Sequence, residues 1–144
     1  DLKLSKKMNL IRSKDSEKLF FVHDLNLKKE KIESMKVKGI RTIGVSTLKN
    51  GNLNLDEIFK NLSKLGLTSV LVEGGGKIAT SLLEVELVDK LILFTAGIIL
   101  DKNGIDGFQP SIPESINLNN YNRYELDKSL TIGNDVAHFW NINN

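Results

Sequence analysis

The architecture of the chain is set by Ser69–Glu84, which reads SVLVEGGGKIATSLLE. It opens with the apolar, β-branched run Val70–Val72, which predicts a short buried strand. It ends with apolar residues that are spaced to form one face of a helix. Glu73 and three glycines lie between the two. The sequence therefore predicts a strand, a glycine turn and a helix in immediate succession.

The glycine turn is a candidate anion-binding site. Glycines have no Cβ, so a ligand can approach their backbone closely. The first amides of a helix are unpaired, and the helix dipole favours a negative charge beside them. A phosphate or diphosphate is the natural ligand, and the candidate cofactor-binding residues are Gly74, Gly75, Gly76 and Lys77. A purely structural turn is the alternative, because the spacing does not match the dinucleotide-binding fingerprint.

Glu73 ends the predicted strand, at the edge where open α/β sheets place their ligands. A carboxylate aimed at a phosphate would repel it, so Glu73 is expected to point towards a hydroxyl or amine of a bound molecule. Its alternative role is to accept hydrogen bonds from the amides of the turn. We take Glu73 as the candidate catalytic residue.

Composition narrows the functional classes. The chain has 144 residues, typical of one domain, and a net charge of +2, too small to favour nucleic acid as a partner. It has no cysteine, which excludes disulfides and thiolate metal ligands. No apolar run reaches membrane-spanning length and no signal segment opens the chain, so a cytoplasmic location is expected.

The two histidines do not suggest a metal site. His23 and His138 are far apart in sequence, and a zinc site of the usual His/Cys kind cannot be assembled from them. His23 ends a predicted strand and is expected to face solvent, with contact to a cofactor as the alternative. His138 alternates with Trp140 along a strand, so we interpret it as a packed or edge residue. No metal is predicted.

The first half of the chain alternates strands with helices. Strands are predicted at Leu19–His23 and Ile40–Val45, and a helix at Lys28–Lys38 between them. The next helix has the spacing of a capping box, in which Asn54 caps the helix and Glu57 returns the bond. Gly66 ends that helix.

The second half of the chain ends in a hairpin. A strand is predicted at Lys90–Ala96, followed by a long loop at Asp101–Ser115. Tyr121–Leu130 and Asp135–Ile142 alternate as strands around a short turn. We therefore predict an α/β fold with a mixed, mostly parallel sheet flanked by helices and a C-terminal antiparallel hairpin.

The string SVLVEGG and the later LVDKLILFTAG resemble the C-terminal reductase domain of the bifunctional riboflavin biosynthesis deaminase/reductase, which has a dihydrofolate reductase-like fold. The resemblance runs from about Gly51 to about Gly104 and includes Gly66 and Val72–Gly75 in the family order. It implies reduction of the ribose of 5-amino-6-(5-phosphoribosylamino)uracil to a ribityl chain with NADPH. It also implies that Gly74 and Gly75 contact the diphosphate, that Glu73 faces the substrate, and that the protein is a homodimer.

The chain departs from the family pattern in its first residues. The Ser-Leu-Asp-Gly-Lys and Asp-x-Pro-x-Leu motifs are absent, and Asp1–Leu4 resembles a later family stretch entered midway. Residues 1–144 are therefore expected to be a single reductase-type domain that lacks the first strand and the substrate region of the family fold. Leu2 and Ser5 replace family residues expected near the adenosine 2′-phosphate, which leaves the choice between NADPH and NADH open.

Three functions are compatible with these observations. The first is an NADPH-dependent pyrimidine reductase acting on a small-molecule substrate, or a reductase of a related pyrimidine or pterin on the same fold. The second is a nucleotide-binding domain without turnover. The third is a module whose long apolar strand and terminal hairpin serve to form dimers. None of the three requires nucleic acid or a membrane.

Overall fold

A computed structural model of the chain describes residues 9–12, 18–36, 39–99, 104–105, 107–108 and 124–142. The backbone forms two compact units, Asp1–Val70 and Leu71–Asn144. The elements are, in chain order, α1 (Asn9–Arg12), β1 (Phe20–Asp24), α2 (Lys29–Lys36), β2 (Arg41–Val45), α3 (Leu55–Lys64), α4 (Gly76–Glu84), β3 (Lys90–Thr95), β4 (Glu125–Ile132) and β5 (Asp135–Asn141). The predicted α/β class is confirmed, whereas the single domain over residues 1–144 stays a prediction.

The first unit is built on a parallel pair of strands. β1 and β2 pair from Phe20 opposite Arg41 to Asp24 opposite Val45. Both α2 and α3 contact β2, and α2 is the crossover helix that connects the parallel strands β1 and β2. The side chains that these contacts bury are Met35, Ile40 and Val45.

Helix α3 begins and ends with defined caps. The predicted N-cap is confirmed, because Asn54 accepts a hydrogen bond from the Glu57 amide at 3.2 Å. The other predicted bond of the capping box, from the Asn54 amide to the Glu57 side chain, is wrong. The Asn54 amide donates to the carbonyl of Ser46 at 2.9 Å, so the Glu57 carboxylate is available for another donor. At the other end Gly66 adopts φ +84°, as predicted for a helix stop.

The second unit contains helix α4 and a three-stranded antiparallel sheet in the order β3-β5-β4. The predicted hairpin is confirmed as β4 and β5, joined by the two-residue turn Gly133-Asn134. Gly133 has φ +63°, which matches the positive φ that tight hairpin turns require at their first central position. The predicted loop Asp101–Ser115 lies mostly outside the described residues.

The strand predicted at Val70–Val72 is wrong. Residues 67–75 contain no helix or strand, and Leu71 is 76% exposed. A strand needs a neighbour that satisfies its backbone hydrogen bonds, and neither β2 nor β3 pairs with this segment.

Among the described residues, no helix is both long and apolar enough to cross a membrane.

Candidate functional site

The glycine turn leads into α4 without a side-chain cap. Gly75 is the N-cap residue, with φ −73° and ψ 173°, and among the described residues no side-chain cap bonds to the first amides of the helix. The first turn of α4 also contains no acidic residue. Uncapped amides at a helix N-terminus carry the positive end of the helix dipole. The start of α4 therefore has the electrostatic character that the sequence predicts for an anion site.

The three glycines of the turn have different surroundings. A Cβ added to Gly74 would collide with Cγ2 of Ile78, so glycine is required there for the turn to pack against the helix. A Cβ added to Gly75 would meet no heavy atom of the described residues within 4 Å. Gly76 is the first residue of α4. The space beside Gly75 is the part of the turn that a ligand can approach.

The charged residues on either side of the glycines are both exposed. Glu73 lies in the irregular segment before the turn, and Lys77 is the second residue of α4. An accessible Lys77 can supply a positive charge to an anion at the helix start, and an accessible Glu73 can reach a polar ligand. The structure thus presents Glu73, Gly75 and Lys77 on one short accessible segment. The roles assigned to them stay predictions.

A second polar cluster lies where β1 and β2 end. Asp24 Oδ1 accepts hydrogen bonds from the amide of Asn26 at 2.9 Å and from its side-chain nitrogen at 3.1 Å. The bond from the Asn26 amide, together with one from the Thr47 side chain, lowers the pKa of Asp24 although partial desolvation opposes it. Thr47 follows β2, so this bond joins the carboxyl ends of two parallel strands. The sequence analysis missed this cluster.

His23 belongs to the same end of β1, and the expectation that it faces solvent is wrong. Only 7% of the residue is exposed. Its Nδ1 lies 2.8 Å from the carbonyl oxygen of Asp24. A carbonyl can only accept, so Nδ1 carries the proton of this bond. Gly44, opposite His23 in β2, leaves room for the ring. This pairing follows from the register of the two strands, so no local pattern in the sequence indicated the burial.

Glu57 ties the exit of β2 to the start of α3. Its Oε2 accepts hydrogen bonds from both the amide and the hydroxyl of Ser46, each at 2.7 Å. These two bonds, the backbone one foremost, lower the pKa of Glu57. The loop after β2 is therefore anchored at its first residue. No pattern in the sequence pairs Ser46 with Glu57, because the capping-box spacing points to Asn54 instead.

Comparison with known proteins identifies a family for the whole chain. The model of the RibD C-terminal domain matches residues 1–138. Among solved structures, Acinetobacter baumannii RibD is similar over 99% of this chain and 36% of its own length, at 15% identity and a TM-score of 0.76. No curated protein matches the sequence significantly.

Two further structures share the fold. A pyrimidine reductase-like protein from Corynebacterium diphtheriae is 19% identical, with a TM-score of 0.68, over 87% of this chain and 49% of its own. The riboflavin biosynthesis reductase Rib7 of Saccharomyces cerevisiae is 15% identical, with a TM-score of 0.56, over 87% of this chain and 69% of its own. The chain thus spans about a third of the Acinetobacter protein and half of the Corynebacterium protein.

Proposed function

We propose, from the premise that this chain belongs to the RibD C-terminal domain family, that it is the reductase part of a riboflavin-pathway enzyme. The proposed reaction is reduction of the ribose of 5-amino-6-(5-phosphoribosylamino)uracil to the ribitylamino product. The proposed cofactor is NADPH. We further propose that the functional protein is a homodimer.

The observation that carries the proposal is the uncapped start of α4 beside an open glycine. Within the part of the chain that the structure describes, the first amides of α4 have no side-chain cap, and no heavy atom lies within 4 Å of a Cβ placed on Gly75. A diphosphate fits this arrangement because the helix dipole and the amides both favour an anion there. Lys77, exposed on the first turn, would add a positive charge to the same anion.

The cofactor, when bound, would supply a hydride to the substrate. The carbon that accepts it would be C1′ of the ring-opened sugar, as a protonated imine, whose C=N double bond becomes a single bond. Glu73 precedes the turn and is accessible, so its carboxylate would stabilise the positive charge of that imine before hydride transfer. Gly74 leaves no room for a Cβ beside Cγ2 of Ile78, and this close packing of the turn on the helix would hold Glu73 and the diphosphate at a constant separation.

The test is to follow NADPH consumption by the chain with the pyrimidine substrate, for the wild type and for Glu73→Gln. Loss of the carboxylate charge should lower kcat by at least tenfold and leave NADPH affinity within about twofold, since Glu73 is assigned to the imine. Glu30→Gln, which removes an exposed carboxylate in the first turn of α2, is the matched control and should change neither value.

Binding of NADPH is measured in parallel through the emission of Trp140, the single tryptophan. Binding without turnover would overturn the proposed reaction and favour a nucleotide-binding domain. Turnover with a related pyrimidine or a pterin, but not with the ribosylaminouracil, would replace the proposed substrate. Absence of both binding and turnover would reject the function as a whole.

A further inference from the structure

The loop that connects β2 to α3 folds back on itself as a small hairpin. Thr47 and Leu53 form an antiparallel bridge, and the amide of Leu48 donates to the carbonyl of Asn52 at 2.8 Å. Inside this pair the amide of Gly51 donates to the carbonyl of Leu48 at 2.9 Å, and Gly51 has φ +82°. Three residues thus close the hairpin, as a turn followed by a left-handed glycine.

The tip of this hairpin has an asparagine directly before the glycine. Asn50 and Gly51 are both exposed. The side-chain oxygen Oδ1 of Asn50 accepts a hydrogen bond from the amide of Asn52 at 3.0 Å. Apart from its chain neighbours, no heavy atom of the described residues lies within 4 Å of a Cβ placed on Gly51. The side-chain amide of Asn50 and the backbone nitrogen of Gly51 therefore lie next to each other at the surface.

An asparagine that precedes glycine can lose ammonia in an intramolecular reaction. The Gly51 nitrogen attacks Cγ of Asn50, the Gly51 N–H proton leaves with the side-chain NH₂ as ammonia, and a five-membered succinimide ring remains. Glycine favours this step because it has no Cβ to obstruct the approach. Water then opens the ring at one of its two carbonyls. The products are aspartate and isoaspartate, in which the main chain runs through the former side chain.

Two hydrogen bonds of the turn oppose ring closure. The Gly51 nitrogen must lose its proton, which in the folded turn is donated to the Leu48 carbonyl. The Asn50 side chain must be free to turn its Cγ onto that nitrogen, whereas its Oδ1 is held by the Asn52 amide. The reaction therefore requires the hairpin tip to open, and its rate in the folded protein depends on the population of the open form.

We propose that Asn50 is a deamidation site of this protein and that the hairpin tip controls the rate of the reaction. Water is the only co-reactant, so the modification needs no enzyme, oxidant or reductant. The inference does not depend on the cofactor or on the proposed reduction, so either can fail without the other.

The two products should affect the loop differently. Aspartate keeps the length of the main chain, and its carboxylate can accept the Asn52 amide as Oδ1 of Asn50 does. Isoaspartate adds a carbon to the main chain before Gly51, which displaces the Gly51 amide from the Leu48 carbonyl. The same hairpin includes Thr47, whose side chain bonds to Asp24. Formation of isoaspartate should therefore loosen the contact between the ends of β1 and β2.

The conversion is followed by peptide mass spectrometry on the folded chain at neutral pH and on the chain in guanidinium chloride. In the folded chain Asn50 should convert at least about tenfold more slowly than in denaturant, because the turn must first open. Asn134 is the internal control, since it is also an exposed turn residue but precedes Asp135 rather than glycine. In denaturant Asn134 should convert at least about fivefold more slowly than Asn50.

Two substitutions of Asn52 separate its backbone amide from its side chain. Asn52→Pro removes the N–H group that holds Oδ1 of Asn50, whereas Asn52→Ala keeps it. In the folded chain Asn52→Pro should deamidate at least about threefold faster than the wild type, and Asn52→Ala should stay within about twofold. The rate of each variant in guanidinium chloride corrects for the intrinsic effect of its sequence, and circular dichroism shows whether each variant is folded.

Each outcome decides one part of the proposal. An Asn50 amide that stays intact in the folded chain after many half-lives of the denatured chain would reject the site. Equal rates in the two states, or a proline variant no faster than the alanine variant, would reject control by the turn. The isoaspartyl form, purified by ion exchange, should melt several degrees below the wild type, and Asn50→Asp within about 2 °C of it. Equal melting of these two forms would reject the predicted effect on the loop.

Discussion

Gly66 and Glu86 occupy the same position at the ends of two different helices. Each follows the C-cap residue and has positive φ, +84° for Gly66 and +55° for Glu86. The amides of Gly66 and Glu86 each donate to the carbonyl oxygen of the residue three positions earlier. The amides of the next residues, Leu67 and Leu87, each donate to the carbonyl oxygen five positions earlier. Helices α3 and α4 therefore end in the same Schellman arrangement, one with glycine and one with a residue that strains the backbone.

The pair predicts opposite effects of two substitutions. Gly66→Ala should lower the free energy of unfolding by about 1–2 kcal/mol, the cost of placing a Cβ in the left-handed region. Glu86→Gly should raise it, because glycine relieves the strain of positive φ. The gain should stay below about 1 kcal/mol, because glycine also adds entropy to the unfolded chain and removes the interaction of the Glu86 side chain. Urea unfolding with unchanged m-values is the measurement. Destabilisation by both substitutions would show that backbone strain at Glu86 is negligible.

These two helix ends also show what the sequence can predict. The end of α3 is predictable because Gly66 is a residue type with a conformational meaning, and Asn54 marks the start of the same helix for the same reason. The end of α4 carries no such marker, since nothing in the identity of Glu86 indicates positive φ. Strands β1 and β2 and the terminal hairpin were predicted within a few residues because their apolar pattern is local.

Features that depend on distant partners were not predictable in the same way. The apolar run Val70–Val72 predicts a strand, but strand pairing requires a neighbour that no local pattern specifies. The bond from Ser46 to Glu57 joins the exit of β2 to α3, and His23 is buried opposite Gly44 of the paired strand. The turn at Gly74–Lys77 could be located from sequence because its glycines are a local signal directly before a helix, whereas its role as a binding site stays a prediction.

The lowered pKa of Glu57 predicts that the stability of the fold depends on pH. Its pKa in the folded chain is lowered from 4.5 by the two bonds from Ser46. Because the folded pKa lies below the unfolded one, the stabilisation is present above pH 4.5 and is lost as the pH falls through the folded value. Glu57→Gln should lower the melting temperature by a few degrees at neutral pH and flatten its decline in acid.

The neighbouring substitution Asp56→Asn is the control for this effect. Asp56 is exposed in the first turn of α3 and takes no part in the contact with Ser46. It should leave most of the acid-induced decline in place, whereas Glu57→Gln reduces it. Some decline should remain in Glu57→Gln, because the pKa of Asp24 is also lowered. Identical curves for wild type and Glu57→Gln would show that the Ser46 bonds are not maintained in solution.

The substitution Gly44→Ala is expected to disturb side-chain packing at the end of β1. A Cβ at this position would lie 3.2 Å from Cε1 of His23 and 3.0 Å from Cδ2 of Leu25. Leu25 is exposed and can move, whereas His23 is buried and held by its bond to the Asp24 carbonyl. Gly44→Ala should therefore destabilise the protein by about 1–2 kcal/mol through His23.

A double-mutant cycle separates the two contacts of Gly44. If His23 is the obstacle, Gly44→Ala should cost the same in the wild type and in a Leu25→Ala background, within about 0.5 kcal/mol. A cost that vanishes in the Leu25→Ala background would assign the clash to Leu25. Chemical denaturation of the four proteins provides the measurement.

Gly74 and Gly75 should respond differently to the same added methyl group. Gly74→Ala places a Cβ against Ile78 and should cost about 1–3 kcal/mol of stability, because the start of α4 must shift. Gly75→Ala meets no neighbour and keeps a backbone conformation open to any residue, so its cost should stay below about 1 kcal/mol.

The methyl group of Gly75→Ala, however, would project into the space proposed for the diphosphate. NADPH affinity should therefore fall about tenfold in Gly75→Ala, as a loss of roughly 1.4 kcal/mol. Gly107→Ala, whose Cβ would likewise meet no atom of the described residues within 4 Å, is the control that should leave affinity unchanged. Titration of all three variants alongside thermal melts separates binding from folding, and full NADPH affinity in a folded Gly75→Ala would place the diphosphate away from this turn.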